Sequence, residues 1–459
     1  MIKKLIFISW LLIVWILVLN IISNQNIPLG FDHGPYKHFV SLYESHNWRI
    51  AELSQRLQGQ FEPFSGALFY YLKTAVWENI LFTWLYLWAH IFISVILFIL
   101  AKNNWKYSLW SILGLLLFLI SSIQYGNYAW ALGKQIFATV FLLLNIRYQK
   151  KIFLSSIFLL ACVSLHRLTG FIAILFVLFS VLHDKANFWS KKSLLLWGII
   201  ILGIITYISS FQFQILPYIN SLIHNIGGNI LITGRYGSGF SAKDFWFLEI
   251  PLLLITLLWF THSYKKKHVS FLRNPYLLTF IFITFMVAFR GIAHSRLQSF
   301  LDLFLILIFI QHASFYVTKK WILIAASIQS VLWFSIFIHD HTSHINSQEA
   351  QIIKKVVSWI PDHVYLISLS SEYRAIMTGY GHRDFRDEYS KTISITSKKE
   401  RIKLSKDKKF LCNQLSQINH DVFLYRGSQE KIPSSLNNSC LTVIKKWNNG
   451  AQLMHYSKE

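Results

Sequence analysis

Eleven apolar runs, separated by short polar segments, organise the first 338 of the 459 residues. Apolar residues make up 54% of the composition, and charged residues only 14%. A helix of about 20 apolar residues is about 30 Å long, which matches the hydrocarbon layer of a bilayer. The pattern therefore predicts an all-α polytopic membrane protein. The predicted spans are residues 4–23, 80–101, 107–123, 129–146, 152–166, 169–183, 193–210, 245–262, 275–290, 297–314 and 321–338.

The basic residues predict how these spans are oriented. The formal net charge is +23, but the Lys and Arg residues fall in the gaps between apolar runs and not on one face, which argues against a nucleic-acid-binding protein. If the N-terminus is cytoplasmic, every second gap is basic, as the positive-inside rule requires. A bacterial inner membrane is the expected location. The inner gaps carry Lys102, Lys106, Arg147, Lys150, Lys151, Lys185, Lys191, Lys192, Lys265, Lys266, Lys267, Arg273, Lys319 and Lys320.

Residues 339–459 form a second predicted domain, a small α/β unit that an odd number of spans places outside the cytoplasm. Apolar runs shorten to strand length at 364–369, 422–425 and 441–444. Residues 347–359 have the pattern of an amphipathic helix. Cys412 and Cys440 both lie in this domain, and in an oxidising compartment they could either form a disulfide or stay free.

The loop at 24–79 concentrates the acids of the predicted transmembrane domain, residues 1–338. Five of the nine carboxylates in that domain lie in this loop. Asp32 stands in Phe31-Asp32-His33-Gly34-Pro35-Tyr36, where it can act as a general base toward a sugar hydroxyl or cap the following helix. Glu62 can be a second acid, a metal ligand or a cap. The five are Asp32, Glu44, Glu52, Glu62 and Glu78.

Cations lie at or near the predicted outer ends of several spans. Such groups are costly at membrane depth unless they face a cavity or a partner. Together they can bind a lipid-linked phosphate and stabilise it as a leaving group, whereas singly they can reach the headgroups. Asp302 could pair with Arg296 or Arg290. The candidate phosphate-binding residues at these ends are Lys134, His166, Arg167, Arg290, His294 and Arg296, and Arg235 in a glycine-rich outer loop is a further candidate.

Motifs for other chemistries are missing from the sequence. It contains no Walker motif, no His/Cys metal spacing and no Gly-x-Ser-x-Gly, which argues against an ATPase or a serine hydrolase. No cofactor is required by the pattern. A divalent cation stays an open alternative, held by Glu62 or by His339-Asp340-His341 with His344, and a polar junction is the other interpretation of that histidine group.

The layout resembles the GT-C superfamily of integral-membrane glycosyltransferases. The shared features are a cytoplasmic N-terminus, a long first outer loop with Asp32 soon after the first span, many further spans and a soluble outer domain. The resemblance implies that Asp32 is the catalytic base and that the sugar donor is a polyprenyl phosphate. Members of that superfamily often have a second acid beside this Asp, and His33 occupies the position here.

Some stretches are also similar to EpsG- and Wzy-type polysaccharide polymerases. Asp32 to Tyr36 resembles their Asp-x-x-x-Tyr stretch, which makes Tyr36 a candidate substrate-binding residue, and Phe61 to Phe64 resembles Glu-Pro-Gly-Phe. Residues 132–138 resemble Arg-Gln-x-x-Ala, with Lys134 in place of Arg, and His166 resembles their helix-end His.

The sequence thus predicts a membrane glycosyltransferase that inverts the anomeric centre at the outer leaflet, in cell-surface polysaccharide assembly. Its partners would be a polyprenyl-phosphate-linked sugar, a glycan or lipid-glycan acceptor and the bilayer. The first alternative is a polymerase of lipid-linked repeat units. The second is a flippase or transporter without enzymatic activity, for which inverted repeats and broken helices would be expected.

Overall fold

The computed structural model describes most of the helical part of the chain and parts of the C-terminal domain, and the described residues are mostly helical with a small sheet. The described ranges are 1–23, 78–104, 108–129, 133–183, 249–265, 274–288, 294–313, 319–340, 347–361, 364–368, 410–416, 421–428 and 440–456, with single helical residues at 198 and 201.

Eleven helices precede residue 341 in the described ranges. They are α1 Ile2–Ser23, α2 Glu78–Asn104, α3 Ser108–Ile120, α4 Ser122–Ala129, α5 Gly133–Arg147, α6 Ile152–Leu165, α7 Arg167–His183, α8 Ile250–Lys265, α9 Pro275–Ala288, α10 His294–Ile308 and α11 Lys319–Asp340. A π-helical turn, Phe309–Ala313, continues α10. Ten of the eleven predicted spans coincide with a helix, while the run at 193–210 lies almost entirely outside the described residues.

Two of these helices are long and apolar enough to cross a membrane, Ile2–Ser23 and the segment Thr83–Ala101 of α2. Further apolar helices are shorter than that limit. They are Ile152–Leu165, Arg167–Leu182, Ile250–Tyr264, Pro275–Val287 and Ile324–Phe334. The count of eleven spans therefore stays a prediction.

The helices share one apolar core and also present apolar side chains outward. Leu117, Leu142 and Phe304 are fully buried in that core. On the outer surface, Trp15 is 57% exposed and Val331 is 70% exposed. Further outward-facing apolar side chains are Leu12, Ile22, Trp88, Phe153, Leu254, Leu257, Ile281, Phe285, Trp321 and Ile328. A surface of this kind is unusual for a protein surrounded by water.

In the described ranges, the C-terminal unit contains two helices and a four-stranded sheet with its own core. The helices are α12 Ser347–Trp359 and α13 Phe410–Leu415, and the strands are β1 Tyr365–Ser368, β2 Val422–Arg426, β3 Leu441–Lys446 and β4 Gln452–Tyr456. The strand order is β1-β2-β4-β3, with β1 parallel to β2 and the other pairs antiparallel. Helix α12 covers the sheet through Ile353 and Val356, which share a core with Leu366, Tyr425 and Leu453.

A disulfide and a set of hydrogen bonds to a buried glutamate hold this unit together. Cys412 and Cys440 form a disulfide, with Cα atoms 5.9 Å apart. Glu349, in the first turn of α12, is buried and accepts hydrogen bonds from the Tyr425 hydroxyl at 3.2 Å and from the Ser428 backbone N–H at 2.7 Å. The Ser428 hydroxyl also donates to Glu349. Because charged acceptors form strong hydrogen bonds, Glu349 fixes α12 to the end of β2.

Candidate functional site

Several predicted site residues cannot be placed in the structure. Asp32, Tyr36, Glu62, Arg235 and Arg290 lie outside the described residues. His294 begins α10, but its side chain is not among those described. The described candidates are Lys134, His166, Arg167 and Arg296.

Helix α4 differs from the sequence-based expectation. The segment at 124–128, between the third and fourth predicted spans, is expected to be an outer loop, yet Ser122–Ala129 is helical and α5 begins at Gly133. Gln124 and Asn127 are buried. Their polar groups are buried because they find partners inside the bundle, which the sequence does not reveal.

Asp302 of α10 is the centre of these contacts. It is fully buried, and its Oδ2 accepts hydrogen bonds from the Ser121 hydroxyl and from Gln124 Nε2, both at 2.8 Å. Gln124 Nε2 also donates to the Ser299 carbonyl at 2.6 Å. The acid that could have paired with Arg296 therefore bonds instead to neutral groups from the α3–α4 junction.

The network continues into α5. Gln135 is buried and its Nε2 donates to the Ser299 hydroxyl at 2.7 Å, with Asn127 Oδ1 at 3.5 Å. Asn127 Nδ2 donates to Gln124 Oε1 at 3.3 Å. Hydrogen-bonded groups in a low-dielectric interior polarise one another, so this cluster has one preferred arrangement. We call Ser121, Gln124, Asn127, Gln135, Ser299 and Asp302 the polar network.

A second buried acid lies beside the network. Glu249 directly precedes α8, is fully buried and interacts with Asp302. The Trp333 indole of α11 faces Glu249 without reaching hydrogen-bonding geometry. Among the described residues, no donor lies within hydrogen-bonding geometry of Asp302 Oδ1, of either Glu249 oxygen or of Gln135 Oε1.

Four oxygens at this side of the network, two of them on Glu249, therefore have no hydrogen-bond partner among the described residues. Sugar hydroxyls donate hydrogen bonds to carboxylate and amide oxygens, and a few convergent polar groups in an apolar pocket are typical of a ligand site. Neither Glu249 nor Asp302 is among the residues predicted to form the site. The signal that could have found them is their scarcity, since each is one of only nine acids in the first 338 residues and lies inside an apolar run.

Two of the predicted cations border the network. Lys134 precedes Gln135 on α5 and is 8% exposed. The Arg296 carbonyl accepts a hydrogen bond from the Ser299 hydroxyl at 2.7 Å, and the Arg296 side chain is half-buried. Both residues thus lie near the unpartnered oxygens of the network, and their role in binding phosphate stays a prediction.

His166 and Arg167 lie at a different junction, between α6 and α7. The His166 backbone N–H donates to the Cys162 carbonyl at 3.1 Å, which ends α6. His166 Nδ1 lies 2.7 Å from the Thr169 hydroxyl and accepts a bond from the Thr169 backbone N–H at 3.4 Å. This capping arrangement gives His166 a structural role, and its predicted role in phosphate binding stays a prediction.

Within the described ranges, no group of three or more His, Cys, Asp and Glu side chains is placed to hold a metal ion. Glu62 and residues 341–344 lie outside those ranges, and the side chains of His339 and Asp340 are not among those described. The alternative of a divalent cation at these positions is therefore untested.

A glycine next to the network gives a test of its packing. A Cβ on Gly133 would lie 2.3 Å from Cε1 of Tyr86, which is itself buried, whereas a Cβ on Gly198 has no atom within 4 Å. We expect Gly133→Ala to destabilise the protein by about 1–3 kcal/mol, because overpacking a dense core forces side chains apart. Thermal unfolding in detergent measures this effect.

Gly198→Ala is the matched control and should be neutral or slightly stabilising, since Ala is the better helix former by about 1 kcal/mol. The double variant Gly133→Ala with Tyr86→Leu should recover part of the lost stability. Equal melting temperatures for the two glycine variants would contradict the packing described here.

No family model and no curated protein matches the chain.

Proposed function

We propose that this chain is an integral-membrane glycosyltransferase of the bacterial inner membrane. It moves a sugar from a polyprenyl-phosphate donor to a glycan or lipid-glycan acceptor at the outer leaflet. The observation that carries the proposal is the polar network with its adjoining Glu249, enclosed in a helical bundle whose exterior is apolar.

The contrast between exterior and interior supports a membrane location. Trp15, Leu254 and Phe285 face outward, while Gln135, Glu249 and Asp302 are buried. Lipid favours this arrangement, because polar groups must find partners inside the protein and apolar side chains can face the acyl chains. Buried acids in such a bundle are more often functional than structural.

The position of the network along the helices supports the predicted sidedness. Ser121 and Gln124 lie near the end of the third predicted span, and Gln135 lies near the beginning of the helix in the fourth. Glu249 and Asp302 lie near the beginnings of the eighth and tenth spans. Because every second gap between the spans is basic and is assigned to the cytoplasm, all of these span ends are predicted to lie on the extracytoplasmic side.

The chemistry assigns one role to each group of residues. An acceptor hydroxyl oxygen attacks the anomeric carbon while the bond from that carbon to the phosphate oxygen breaks, and Asp32 takes the hydroxyl proton. Lys134, Arg296 and the other candidate cations bind the departing lipid phosphate as its charge grows. Glu249 and Asp302 accept hydrogen bonds from the sugar and orient it.

A polymerase of lipid-linked repeat units is the second candidate. It is favoured by the position of Gln135, which lies in the stretch similar to the Arg-Gln-x-x-Ala of EpsG- and Wzy-type polymerases and bonds directly to Ser299. Both functions transfer a glycosyl group from a lipid-linked donor, and they differ in the size of the group that moves.

Purified protein in proteoliposomes tests the proposal. Donors for the assay are a synthetic polyprenyl-phosphate monosaccharide and a polyprenyl-diphosphate oligosaccharide, each offered with a glycan acceptor. Addition of one sugar with release of polyprenyl phosphate supports the transferase, and a ladder of joined oligosaccharides supports the polymerase. Movement of either lipid between leaflets with no new glycosidic bond would make the protein a flippase and overturn both.

A further inference from the structure

One edge of the C-terminal unit, formed by the end of α12 and the outermost described strand β3, carries exposed apolar, aromatic and basic side chains. Trp359, the last residue of α12, is 50% exposed, and Val443 and Ile444 of β3 are 43% and 53% exposed. Lys445 and Lys446 follow on the same strand and are exposed. We call these five residues the basic–aromatic face.

The side chain of Lys445 on β3 contacts the end of α12. Lys445 Nζ lies 4.2 Å from the centre of the Trp359 ring and 5.8 Å from the centre of the Trp447 ring. Strand β3 is at the end of the described sheet, pairing with β4 on one side. Lys445 therefore extends on the α12 side of the sheet, with an aromatic ring beneath its ammonium group, whereas Val443 and Lys446, opposite Met454 and Gln452, extend on the other side of the same edge strand.

The charge of the described part of this unit favours an anionic partner. Its only acids in the described ranges are Glu349, which is buried, and Asp421, which lies 3.8 Å from His455. Its exposed basic side chains include Lys354 and Lys355 on α12 as well as the two lysines of β3.

The chain connection limits where this face can lie. Helix α11 ends at Asp340 and α12 begins at Ser347. The intervening chain can reach about 25 Å at most, at 3.3–3.6 Å per residue. If α11 is the last span, as the proposed function requires, the unit stays within reach of the headgroups next to α11.

We propose that the basic–aromatic face binds anionic phospholipid headgroups of the leaflet from which α11 emerges. Lysines attract anionic headgroups, and Trp, Val and Ile can enter the boundary between headgroups and acyl chains. The face thereby holds the C-terminal unit against the bilayer, beside the predicted outer ends of the spans. This inference rests on the membrane location in the proposed function and not on the sugar transfer itself.

A fluorophore at Ile444→Cys tests this inference in the full-length protein. Cys162 is buried and the other two cysteines are paired, so a thiol reagent labels position 444. The protein is placed in nanodiscs of phosphatidylcholine with or without phosphatidylglycerol, each containing lipids that carry a quencher near the headgroup. We expect strong quenching in the anionic discs and at least about fivefold less in the neutral discs.

A charge-reversal variant, high salt and a control label at another position test whether the quenching depends on the two lysines. Lys445→Glu with Lys446→Glu should lower quenching in anionic discs by about tenfold or more, since each lysine contributes about fivefold to surface binding. High salt should act in the same direction. The control label is at Asp421→Cys, because the strand register puts Asp421 beyond the Val422–Tyr456–Leu441 end of the sheet, away from Lys446, and we expect little quenching there.

Equal quenching in both disc types, unaffected by the charge reversal, would overturn the inference while leaving the proposed function intact. In neutral discs, quenching at position 444 could also fall as the protein concentration rises. That result would instead assign this face to contact with a second copy of the chain. Failure of the chain to insert into discs at all would overturn both the inference and the proposed function. Sugar transfer is measured separately, so its loss alone would not affect the lipid result.

Discussion

Asp32→Asn should lower the rate of sugar transfer by roughly 10²–10⁴-fold, which is the usual contribution of a general base. Asn has nearly the same shape as Asp but cannot take the proton from the acceptor hydroxyl. The donor should still bind, since the phosphate is held by cations elsewhere. Transfer rates and donor affinity are measured on the same proteoliposomes, so that a loss of chemistry can be told from a loss of binding.

Glu44→Gln and Glu52→Gln are the matched controls, because they remove the same charge from the same loop. We expect both to keep most of the activity. Full activity in a folded and inserted Asp32→Asn protein would remove Asp32 from the mechanism. A similar loss of activity in all three variants would indicate that transfer depends on the total charge of the loop and not on a single catalytic base.

Asp302→Leu should be among the most destabilising single changes in the helical bundle. It leaves the Ser121 hydroxyl and one bond of Gln124 Nε2 without their acceptor. An unsatisfied buried donor costs about 1–3 kcal/mol. The expected result is a clear fall in melting temperature in detergent, and Ser121→Ala, which removes only one donor, should cost less.

Asp302→Asn separates stability from function. The amide oxygen can accept both bonds in place of Oδ2, and the amide N–H can donate toward Glu249, which has no donor in hydrogen-bonding geometry among the described residues. We therefore expect this variant to be as stable as the wild type. If the acids orient the sugar, its transfer rate should still fall about tenfold to a hundredfold.

Two results would contradict this assignment. Stability of Asp302→Leu equal to that of the wild type would mean that the polar network does not hold the helices together. Full activity of a stable Asp302→Asn protein would restrict Asp302 and its network to a structural role. A double-mutant cycle with Gln124→Leu adds a further check, since residues in contact should give non-additive effects.

The positions of the helices could be predicted from the sequence because an apolar run limits both the start and the end of a helix. Helix α1 begins within two residues of the predicted span at 4–23, and α6 and α7 match the spans at 152–166 and 169–183 equally closely. The strands β1, β2 and β3 were also predictable from short apolar runs. Strand β4 was not, since Gln452–Tyr456 mixes polar and apolar residues and is ordered by its pairing on both sides.

The polar network could not be predicted in the same way. Gln124 and Asn127 have the composition of a loop, and only their partners on α5 and α10 make burial favourable. Glu249 and Asp302 lie on helices far apart in the sequence, so their proximity is a property of the packed bundle. The sequence shows which acids are unusual, but it does not show which of them meet.

The hydrogen bond between Gln124 and Asp302 joins residues 178 positions apart, and this distance affects how the protein is made. At a synthesis rate of roughly 5–20 residues per second, Gln124 emerges from the ribosome about 10 to 35 s before its acceptor. During that interval its amide needs a temporary partner, such as water or the insertion machinery. The polar network is therefore completed only when α10 arrives, and chains released before that point would expose its unpaired polar groups to quality control.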